Sequence, residues 1–526
     1  MRAKPLIPIV AAILAAGCCW SSAQATDWLQ FGYDPTHSGF NSAEPGYSTP
    51  GNTLLYKYAL PTAADSAPIY LGNVAVGSAT KNVLFVVTKN GTLLALDADA
   101  KTLSVLWSKK PTGAGTLTTG SPAVDPGKQY VYAYGLDGYV HKYQVGNGTE
   151  VTGGGWPELS TLKPDVEKGA AGLSINVTSG GTFLYSATNG YIGDAGDYQG
   201  HLTTINLSTG VQNVFNSQCS NLFLHFVKNG HAGVDDCNFG SANQSYQDGQ
   251  MSGIWGRPGA VYDPAMDRVY IATGNGLFNA NTHGDYEWGD SLLALKHDGT
   301  SNSGMPVDSF TPSTYAALYS ADDDLGSTSP AILPSTSTTY PHLAIQSGKD
   351  GCVRLINLDN MSGAGGPGHI GGELNAATSC TGDAVGGQVR TQPAVWVNPA
   401  DATTWFFITT DGGLFAYQLS VVGTGIPTLK QPLAAALSNL PGGTSPVVAN
   451  GVVYYVSNQS PYTVSAVSAT TGALLWSESS PQNIHWQSPI VANGRLYLVD
   501  GNSKLLVYAL DGIFRNGFGA AANGYK

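Results

Sequence analysis

Two short acidic stretches contain side chains that could bind a cation or move a proton. Asp285, Glu287 and Asp290 fall within "THGDYEWGDS" (282–291) and could bind Ca²⁺, although their spacing is not that of an EF-hand loop. The run "DDD" (322–324) places three like charges side by side. Such repulsion can raise one carboxyl pKa far enough for general-base work, although acidic runs are also typical of solvated loops.

A histidine-containing stretch offers a second kind of metal ligand. His225 and His231 precede Asp235 and Asp236, which adjoin Cys237. These are zinc-binding residue types, but a zinc site needs convergent geometry that spacing alone does not show, and we expect Cys237 to form a disulfide. The chain contains no G-x-S-x-G and no phosphate-binding loop, so neither an α/β-hydrolase nor a P-loop nucleotidase is expected.

The elements that must position these residues are predicted to be strands. Charged residues make up 11% of the 526-residue chain, which contains 67 Gly and 27 Tyr. This composition favours strands and tight turns over exposed helices. The formal net charge of −12 also argues against nucleic acid or an anionic membrane as a partner.

The N-terminus has the pattern of an export signal. Arg2 and Lys4 precede an apolar run (6–16), and "AQA" (23–25) fits a cleavage site. We therefore expect residues 1–25 to be a cleaved signal peptide, residues 26–526 to be one domain, and the protein to be secreted or periplasmic. "LAAGC" ending at Cys18 offers a lipid-anchored alternative. No later apolar run is long enough to predict a transmembrane segment.

Export changes how the remaining cysteines are interpreted. Cys219, Cys237, Cys352 and Cys380 stay after signal cleavage, in a compartment that permits disulfides. Three pairings are possible for four cysteines. We predict the two local ones, Cys219 with Cys237 and Cys352 with Cys380.

The sequence repeats one pattern along most of its length. A Ser-Pro or similar pair opens an apolar strand, a second strand follows, and a Gly/Asp/Asn turn leads to a third strand and often to "TG..LW". Eight copies are found, at 66–107, 121–145, 172–210, 256–299, 328–359, 391–419, 444–476 and 487–512. Units of short antiparallel strands at this spacing predict an all-β, eight-bladed β-propeller with four strands in each blade.

Closure of that ring is predicted from the two chain ends. The last copy stops after its third strand, "LLVYAL" (505–510), while "NTLLYKYAL" (52–60) is a spare strand ahead of the first copy. We expect the N-terminal strand to complete the eighth blade, because this leaves no blade edge unpaired. A disordered leader is the alternative.

Two segments carry a family resemblance. The leader "DWLQFGYDPTHSGFNSAE" (27–44) and "YDPAMDRVYIATGNGLFN" (262–279) resemble the quinoprotein alcohol dehydrogenase-like β-propellers, which are built of pyrroloquinoline quinone (PQQ) repeats. The resemblance implies the propeller fold. It is less specific for activity, because that fold serves both PQQ-dependent dehydrogenases and non-catalytic scaffolds.

The resemblance also implies roles for three residues. Asn275 in "TGNG" matches a calcium-ligating Asn, or is a turn residue before a glycine. Asp323 falls near the family's catalytic Asp, and Lys349 matches a cation directed at the quinone oxygens, or is a turn lysine. PQQ and Ca²⁺ are the cofactors so implied.

The chain departs from the family pattern at several positions. Arg257 stands where the family has the tryptophan that stacks under the quinone, and Trp255 lies two residues early. Ala195 and Gln199 replace an expected calcium-binding Glu and a neighbouring Arg, and the vicinal cysteine pair is missing. The absence of C-x-x-C-H excludes covalently attached c-type haem.

These departures favour a binding function over a redox function. We expect an exported scaffold with a degenerate quinone site, which binds a small molecule or a protein at a propeller rim or in the axial funnel. The alternative is a soluble, non-haem PQQ/Ca²⁺-dependent dehydrogenase of alcohols or sugars, supported by Asn275, Asp323 and Lys349.

Overall fold

A computed structural model describes most of the chain. The described residues are 27–44, 53–191, 196, 198–222, 224–226, 252–280, 286–375 and 383–510. The predicted signal peptide, Asp285, His231, Cys237 and Cys380 lie outside these ranges. No helix of the described part is long and apolar enough to cross a membrane.

The described residues form eight sheets, which we number as blades 1 to 8. The strands β1 (Phe40–Asn41) and β2 (Thr53–Ala59) precede the first blade. Blades 1 to 4 contain β3 (Ile69–Val76), β4 (Ala79–Val87), β5 (Leu93–Asp97) and β6 (Val105–Lys109); β7 (Ala123–Val124), β8 (Tyr130–Tyr134), β9 (Tyr139–Gln144) and β10 (Glu158–Leu159); β11 (Glu167–Gly169), β12 (Ser174–Thr178), β13 (Gly181–Gly190), β14 (His201–Asn206) and β15 (Gln212–Asn216); β16 (Val261–Asp263), β17 (Arg268–Ala272), β18 (Leu292–Lys296) and β19 (Asp308–Phe310).

Blades 5 to 8 continue in the same order. They contain β20 (Ala331–Pro334), β21 (His342–Ser347), β22 (Cys352–Asn357) and β23 (Asp383–Ala384); β24 (Ala394–Val397), β25 (Thr404–Thr409), β26 (Leu414–Ser420) and β27 (Thr428–Lys430); β28 (Val447–Ala449), β29 (Val452–Val456), β30 (Val464–Ser468) and β31 (Leu474–Glu478); β32 (Ile490–Ala492), β33 (Arg495–Val499) and β34 (Lys504–Ala509). Two short α-helices, α1 (Tyr315–Ala321) and α2 (Ala434–Leu437), and 3₁₀ turns at Ser220–Leu222 and Leu325–Ser327 lie between strands.

The predicted eight-bladed propeller is confirmed. Apart from β1, which pairs parallel with β28, strands that neighbour one another in a blade pair antiparallel, and the first strands of blades 5 to 8 contact one another in order. Middle strands such as β4, whose last five residues "VLFVV" are all buried, are apolar on both faces. The reason is that each blade is covered by a neighbour on either side, so a single alternating apolar face would not suffice.

The predicted closure is also confirmed. β2 pairs antiparallel with β34, with Thr53 opposite Ala509 and Ala59 opposite Lys504. It therefore forms the outer strand of blade 8, whose order is β2-β34-β33-β32. Backbone hydrogen bonds between the two ends of the described chain thus close the ring, and no blade lacks its fourth strand.

The leader segment, residues 27–44, closes one end of the axis. Its β1 pairs parallel with β28, and Trp28 exchanges backbone hydrogen bonds with Tyr70. Further hydrogen bonds join the leader to blades 2, 3, 4, 6 and 8: Leu29 to Val124, Gln30 to Ile175, Pro35 to Tyr262, Ser38 to Val395, and Asn41 to Val491. One segment therefore ties most of the ring together and leaves the axial cavity with a closed base.

Candidate functional site

The linkers that enter the blades place side chains on the axis in two layers. In most units a proline precedes the first strand, and the residue three positions before it faces a cavity of about 290 Å³. The members of this upper layer are Asp65, Thr119, Trp255, Arg390 and Trp486. The residue one position before the proline lies nearer the leader, as with Ala67, Gln392, Ser445 and Ser488.

Other elements supply the remaining charged groups of this axial cavity. The hairpin turns between the second and third strands of blades 1 and 5 contribute Lys89 and Lys349. In blade 3, Lys168 of β11 pairs with Asn189 of β13, and both line the cavity with Tyr191. The cavity is at the small end of the range for sites that bind small molecules.

Two tryptophans form an aromatic surface in the cavity. The rings of Trp255 and Trp486 stack with centroids 5.1 Å apart and planes inclined by 17°. His485 stacks on Trp486 at 4.7 Å, and the Lys349 Nζ lies 5.5 Å from the Trp255 ring centroid. An aromatic surface beside a cation suits a flat, electron-rich or anionic ring.

Arg257 belongs to the lower layer and does not line the axial cavity. Its Nη2 donates to the carbonyls of Asp65 and Thr119, at 3.0 and 3.4 Å, and its Nη1 donates to Ala170 O at 3.5 Å. The guanidinium lies between the rings of Phe31 and Trp486, 5.8 and 5.6 Å from their centroids. Burial lowers its pKa to about 10, so it stays charged at neutral pH. Arg257 is therefore a buried cationic bridge under the aromatic surface.

Lys349 forms ion pairs with the first and the last aspartate of the acidic run 322–324. Its Nζ lies 2.9 Å from Asp322 Oδ1 and 2.5 Å from Asp324 Oδ2. Burial tends to lower the Lys349 pKa, but the charge and hydrogen bonds of Asp324 and Asp322 raise it overall. Asp322 and Asp324 line the cavity, whereas Asp323 between them is not part of its lining. The pKa of Asp323 is raised by its partial burial and by Asp350.

Asn275 lies directly behind the acidic run. Its backbone N–H donates to Asp324 Oδ1 at 2.7 Å, and its side chain is buried. Asp290 accepts a hydrogen bond from Leu325 N at 3.0 Å through Oδ1, while no described group donates to its Oδ2. Burial, with the charge of Asp324, raises the pKa of Asp290 well above its usual value. Two buried carboxyls and one Asn thus lie together beneath Lys349.

This neighbourhood is an incomplete fit to a calcium ion. Across the described ranges, no three His, Cys, Asp or Glu side chains converge as a metal site would require. The Asp324 carboxylate is already in contact with the Lys349 ammonium. Ala195 and Asp197, near the position where the family pattern has a calcium-binding Glu, lie outside the described residues.

Asp65, on the opposite wall of the cavity, contacts the linker that precedes blade 8. Its carboxylate accepts from Trp486 N at 2.9 Å, contacts His485 Nδ1 at 2.9 Å, and lies 3.4 Å from Lys89 Nζ. Burial would raise the Asp65 pKa, but His485, Arg257 and Lys89 outweigh it and lower the pKa to about 2. Asp65 is therefore a fixed negative charge at neutral pH.

One cation of the cavity, Lys168, has no carboxylate at ion-pair distance among the described residues. Lys89 has Asp65, Lys349 has Asp322 and Asp324, and Arg390 has Asp411 at 3.2 Å. Lys168 is 7% exposed and its Nζ lies 5.7 Å from the Tyr191 ring centroid. Within the described structure, no carboxylate lies at ion-pair distance from Lys168. In a chain with 24 basic and 36 acidic residues, a nearly buried lysine on the axis without an ion-pair partner among the described residues indicates a site for an anion.

The other predicted metal sites are not brought together. His225 contacts Gln212 Oε1 at 3.1 Å on blade 3, away from the axial cavity, and His231, Asp235 and Asp236 lie outside the described residues. Glu287 is buried in the loop before β18, and Asp285 is not described. Cys219 and Cys352 are each disulfide-bonded. The predicted partners, Cys237 and Cys380, fall outside the described ranges, so the pairing stays a prediction.

Sequence reasoning did not single out Lys168, Trp486 or Asp65. A usable signal was present for two of them, since Asp65 and Trp486 occupy the position three residues before the opening proline, like Trp255. Aligning the units on that proline would have assigned both to the cavity and placed Arg257, one residue before Pro258, in the layer below. Unit 3 has no such proline, so Lys168 could not be found in this way.

Comparison with known proteins agrees with the fold. Residues 388–513 match the family model of the outer membrane protein assembly factor BamB, built on PQQ-type repeats. A europium-containing methanol dehydrogenase superposes with a TM-score of 0.59 at 13% identity, covering 92% of this chain and 98% of that one. No curated protein matches the sequence.

Two further solved structures share the architecture. A quinohemoprotein alcohol dehydrogenase from Pseudomonas putida HK5 has a TM-score of 0.59 at 14% identity, over 95% of this chain and 82% of that chain. One from Comamonas testosteroni has a TM-score of 0.55 at 14% identity, over 95% and 83%. The predicted resemblance to PQQ-repeat propellers is therefore confirmed, and at these identities the structural likeness concerns the fold.

Proposed function

We propose that this PQQ-repeat propeller is an exported binding protein whose axial cavity takes a flat, carboxylated aromatic ligand of the quinone class. The observation that carries the proposal is the stacked pair Trp255 and Trp486 surrounded by cations, with Lys168 left without an anionic partner in the described structure. Burying a charged amine without a partner costs several kcal/mol, and an anionic ligand would remove that cost.

The residues present suit a quinone such as PQQ better than they suit its metal. The aromatic surface would stack on the ring system, and Lys168, Lys89 and Arg390 would lie around its carboxylates. With such a ligand bound, the Trp255 ring would take the stacking place that the resemblance assigned to the position of Arg257. When bound, such a quinone supplies a two-electron acceptor; the metal that would polarise it lacks a full donor set among the described residues.

A dehydrogenase is the second candidate, and one arrangement favours it. Asp322, Asp324 and Lys349 meet at the edge of the cavity, with Asn275 behind them. In a dehydrogenase a carboxylate here would accept the substrate hydroxyl proton, with Lys349 beside the ring. The predicted base Asp323 stays a proposal, and its neighbours are better placed because they line the cavity.

Export of the protein and a protein partner at the propeller rim are further proposals. Export rests on the signal-like pattern of residues 1–25 and on the cysteines. A protein partner at a propeller rim is compatible with the family model matched by residues 388–513, which is named for an assembly factor. The insertions at 189–257 and 276–291, which would form such a rim, are described in part.

The experiment titrates purified protein with PQQ, first in EDTA and then in Ca²⁺, with tryptophan fluorescence and calorimetry as readouts. The proposal predicts micromolar binding that persists in EDTA, and no dye-linked oxidation of alcohols or sugars. Lys168→Met should weaken binding about tenfold, which corresponds to about 1.4 kcal/mol. Lys142→Met is the matched control, since Lys142 is half-buried over the Tyr130 ring and does not line the cavity.

Three outcomes separate the candidates. Absence of binding under either condition would overturn the axial-ligand proposal. Binding that requires Ca²⁺, with turnover lost in Asp324→Asn or Asp322→Asn, would establish the dehydrogenase instead. Binding unaffected by Lys168→Met but lost in Lys142→Met would place the site elsewhere on the propeller.

A further inference from the structure

Lys168 differs from the other cavity amines in its surroundings. It lies on the short strand β11, whose pairing with β13 holds it opposite Asn189, and its side chain is nine-tenths buried. The flanking residues are fixed as well: Glu167 accepts from Gln199 N at 2.7 Å, and Thr118 Oγ1 donates to Gly169 O at 2.8 Å. The amine is therefore positioned by a rigid backbone, with Tyr191 against it.

The charges around Lys168 disfavour its ammonium form. Burial lowers the Lys168 pKa, the positive charges of Lys89 and Arg257 lower it further, and Asp65 opposes them, so that the pKa falls to about 8. About a tenth of the side chains then carry a neutral amine at pH 7, which is far more than for a solvated lysine. Desolvation and cationic neighbours are the two ways in which proteins make a lysine nucleophilic.

Lys349, across the cavity, differs from Lys168 in its ion-pair partners and in its pKa. Lys349 is in contact with Asp322 and Asp324, and its pKa is raised. A lysine held by two carboxylates keeps its proton and lacks a free lone pair. The cavity therefore contains one amine that two carboxylates keep protonated and one, Lys168, that no described carboxylate holds and that can react.

We propose that Lys168 condenses with the carbonyl group of a small aldehyde or ketone that also carries a carboxylate or phosphate, and so holds it in the axial cavity as an imine. The Nζ lone pair attacks the carbonyl carbon, the carbonyl oxygen leaves as water with two protons from nitrogen, and a C=N bond replaces C=O. The step consumes no oxidant or reductant.

The rest of the cavity suits such a ligand. Lys89, Lys349 and Arg390 supply positive charge for its anionic group, and Trp255 with Trp486 supplies a surface for an aromatic ring. This inference rests on the proposed function, since both need an anionic ligand in the same cavity. It adds the chemical class of that ligand, a carbonyl compound, and names the atom that bonds it.

The test uses pyridoxal 5′-phosphate, a flat anionic aromatic aldehyde, with cyanoborohydride to trap any imine and peptide mass spectrometry to locate it. We expect one equivalent of label on Lys168, with a labelling rate that rises with pH to a midpoint near pH 8. Lys168→Arg keeps a positive charge on β11 and should abolish this label. Lys142→Arg, outside the cavity, should leave the label on Lys168 unchanged.

A second probe separates this inference from the proposed function. Pyridoxamine 5′-phosphate has the same ring and phosphate but no carbonyl, so it should bind reversibly to the parent and to Lys168→Arg within a few-fold in affinity. If it binds while pyridoxal 5′-phosphate leaves Lys168 unlabelled, the imine is refuted and the anion site stands. Label spread evenly over exposed lysines also refutes the imine. If neither compound binds while PQQ does, the inference fails and the proposed function stands; if PQQ does not bind either, both fail.

Discussion

The two ends of the propeller axis differ at their buried basic side chains. At the closed end His37 of the leader is fully buried among uncharged groups: its Nδ1 donates to Phe31 O, and its Nε2 lies 3.1 Å from the Ser174 hydroxyl, which can donate to it. Burial lowers the His37 pKa, so that it stays neutral. At the open end the same axis gathers lysines, arginines and aspartates, and leaves Lys168 without an ion-pair partner among the described residues.

This difference shows which end stabilises the fold and which binds. Neutral, fully hydrogen-bonded polar groups add stability and specify one arrangement. An unpaired buried charge reduces stability and is retained where a ligand can compensate it. We therefore assign the leader end to closure of the ring and the cavity end to ligand binding.

The largest expected effect comes from removing the leader. Deleting residues 27–44 exposes the ends of most blades and removes the burial of Trp28 and Phe31, each worth about 2 to 3 kcal/mol. We expect a loss of at least about 5 kcal/mol in the free energy of unfolding, measured by urea denaturation. A deletion variant with the unfolding midpoint of the parent would show that the leader is not the closure of the axis.

The second-largest expected effect on stability comes from substituting Arg257, which lies between the closed end of the axis and the cavity. Arg257→Met removes the guanidinium donor of the Asp65 and Thr119 carbonyls, while Ala170 O still accepts from Thr119 Oγ1 at 2.7 Å, and we expect a loss of about 2 kcal/mol in the free energy of unfolding. Arg257→Lys keeps the charge but loses the planar guanidinium, so its free energy of unfolding should lie between those of the parent and of Arg257→Met. A Met variant as stable as the parent but unable to bind PQQ would move Arg257 from the structural layer into the binding site.

The third effect depends on pH. Because the folded-state pKa of Asp65 is about 2, below the value near 4 expected in the unfolded chain, its ionisation stabilises the fold above pH 4. That contribution, about 2 kcal/mol, is lost as the pH falls from about 4 to about 2. The drop in unfolding temperature between pH 5 and pH 2.5 should therefore be smaller in Asp65→Asn than in the parent protein. An unchanged difference would show that Asp65 is not held by His485, Arg257 and Lys89.

The architecture could be predicted because each blade is specified by short sequence signals that recur along the chain. Hairpin turns and apolar strands recur in each unit, an opening proline recurs in most units, and the spare strand at 53–59 had one place to pair, on β34. The path of the leader could not be predicted in this way. Its carbonyls accept hydrogen bonds from the N–H groups of residues such as Tyr262 and Val448, hundreds of positions away, and these bonds depend on which strand N–H groups face the leader.

The candidate site was predicted in part, for a similar reason. Lys349 and Trp255 lie in the cavity because a hairpin turn and a proline-anchored linker fix them there. In the acidic run the chain bends between Asp322, which has a left-handed backbone with φ of 57°, and the 3₁₀ turn at Leu325, so the outer two carboxylates meet Lys349. Sequence alone could not show which member of the run would face the cavity.

The most direct test of the anion site compares two planar ligands of one shape and different charge. The protein is titrated with benzene-1,3,5-tricarboxylate and with the neutral benzene-1,3,5-tricarboxamide, in EDTA, following the fluorescence of Trp255 and Trp486. We predict that the tricarboxylate binds with an affinity that falls as salt is added and that drops about tenfold in Lys168→Met, whereas the amide binds at least a hundredfold more weakly. Equal affinity for the two ligands, or no binding of the tricarboxylate, would contradict the account.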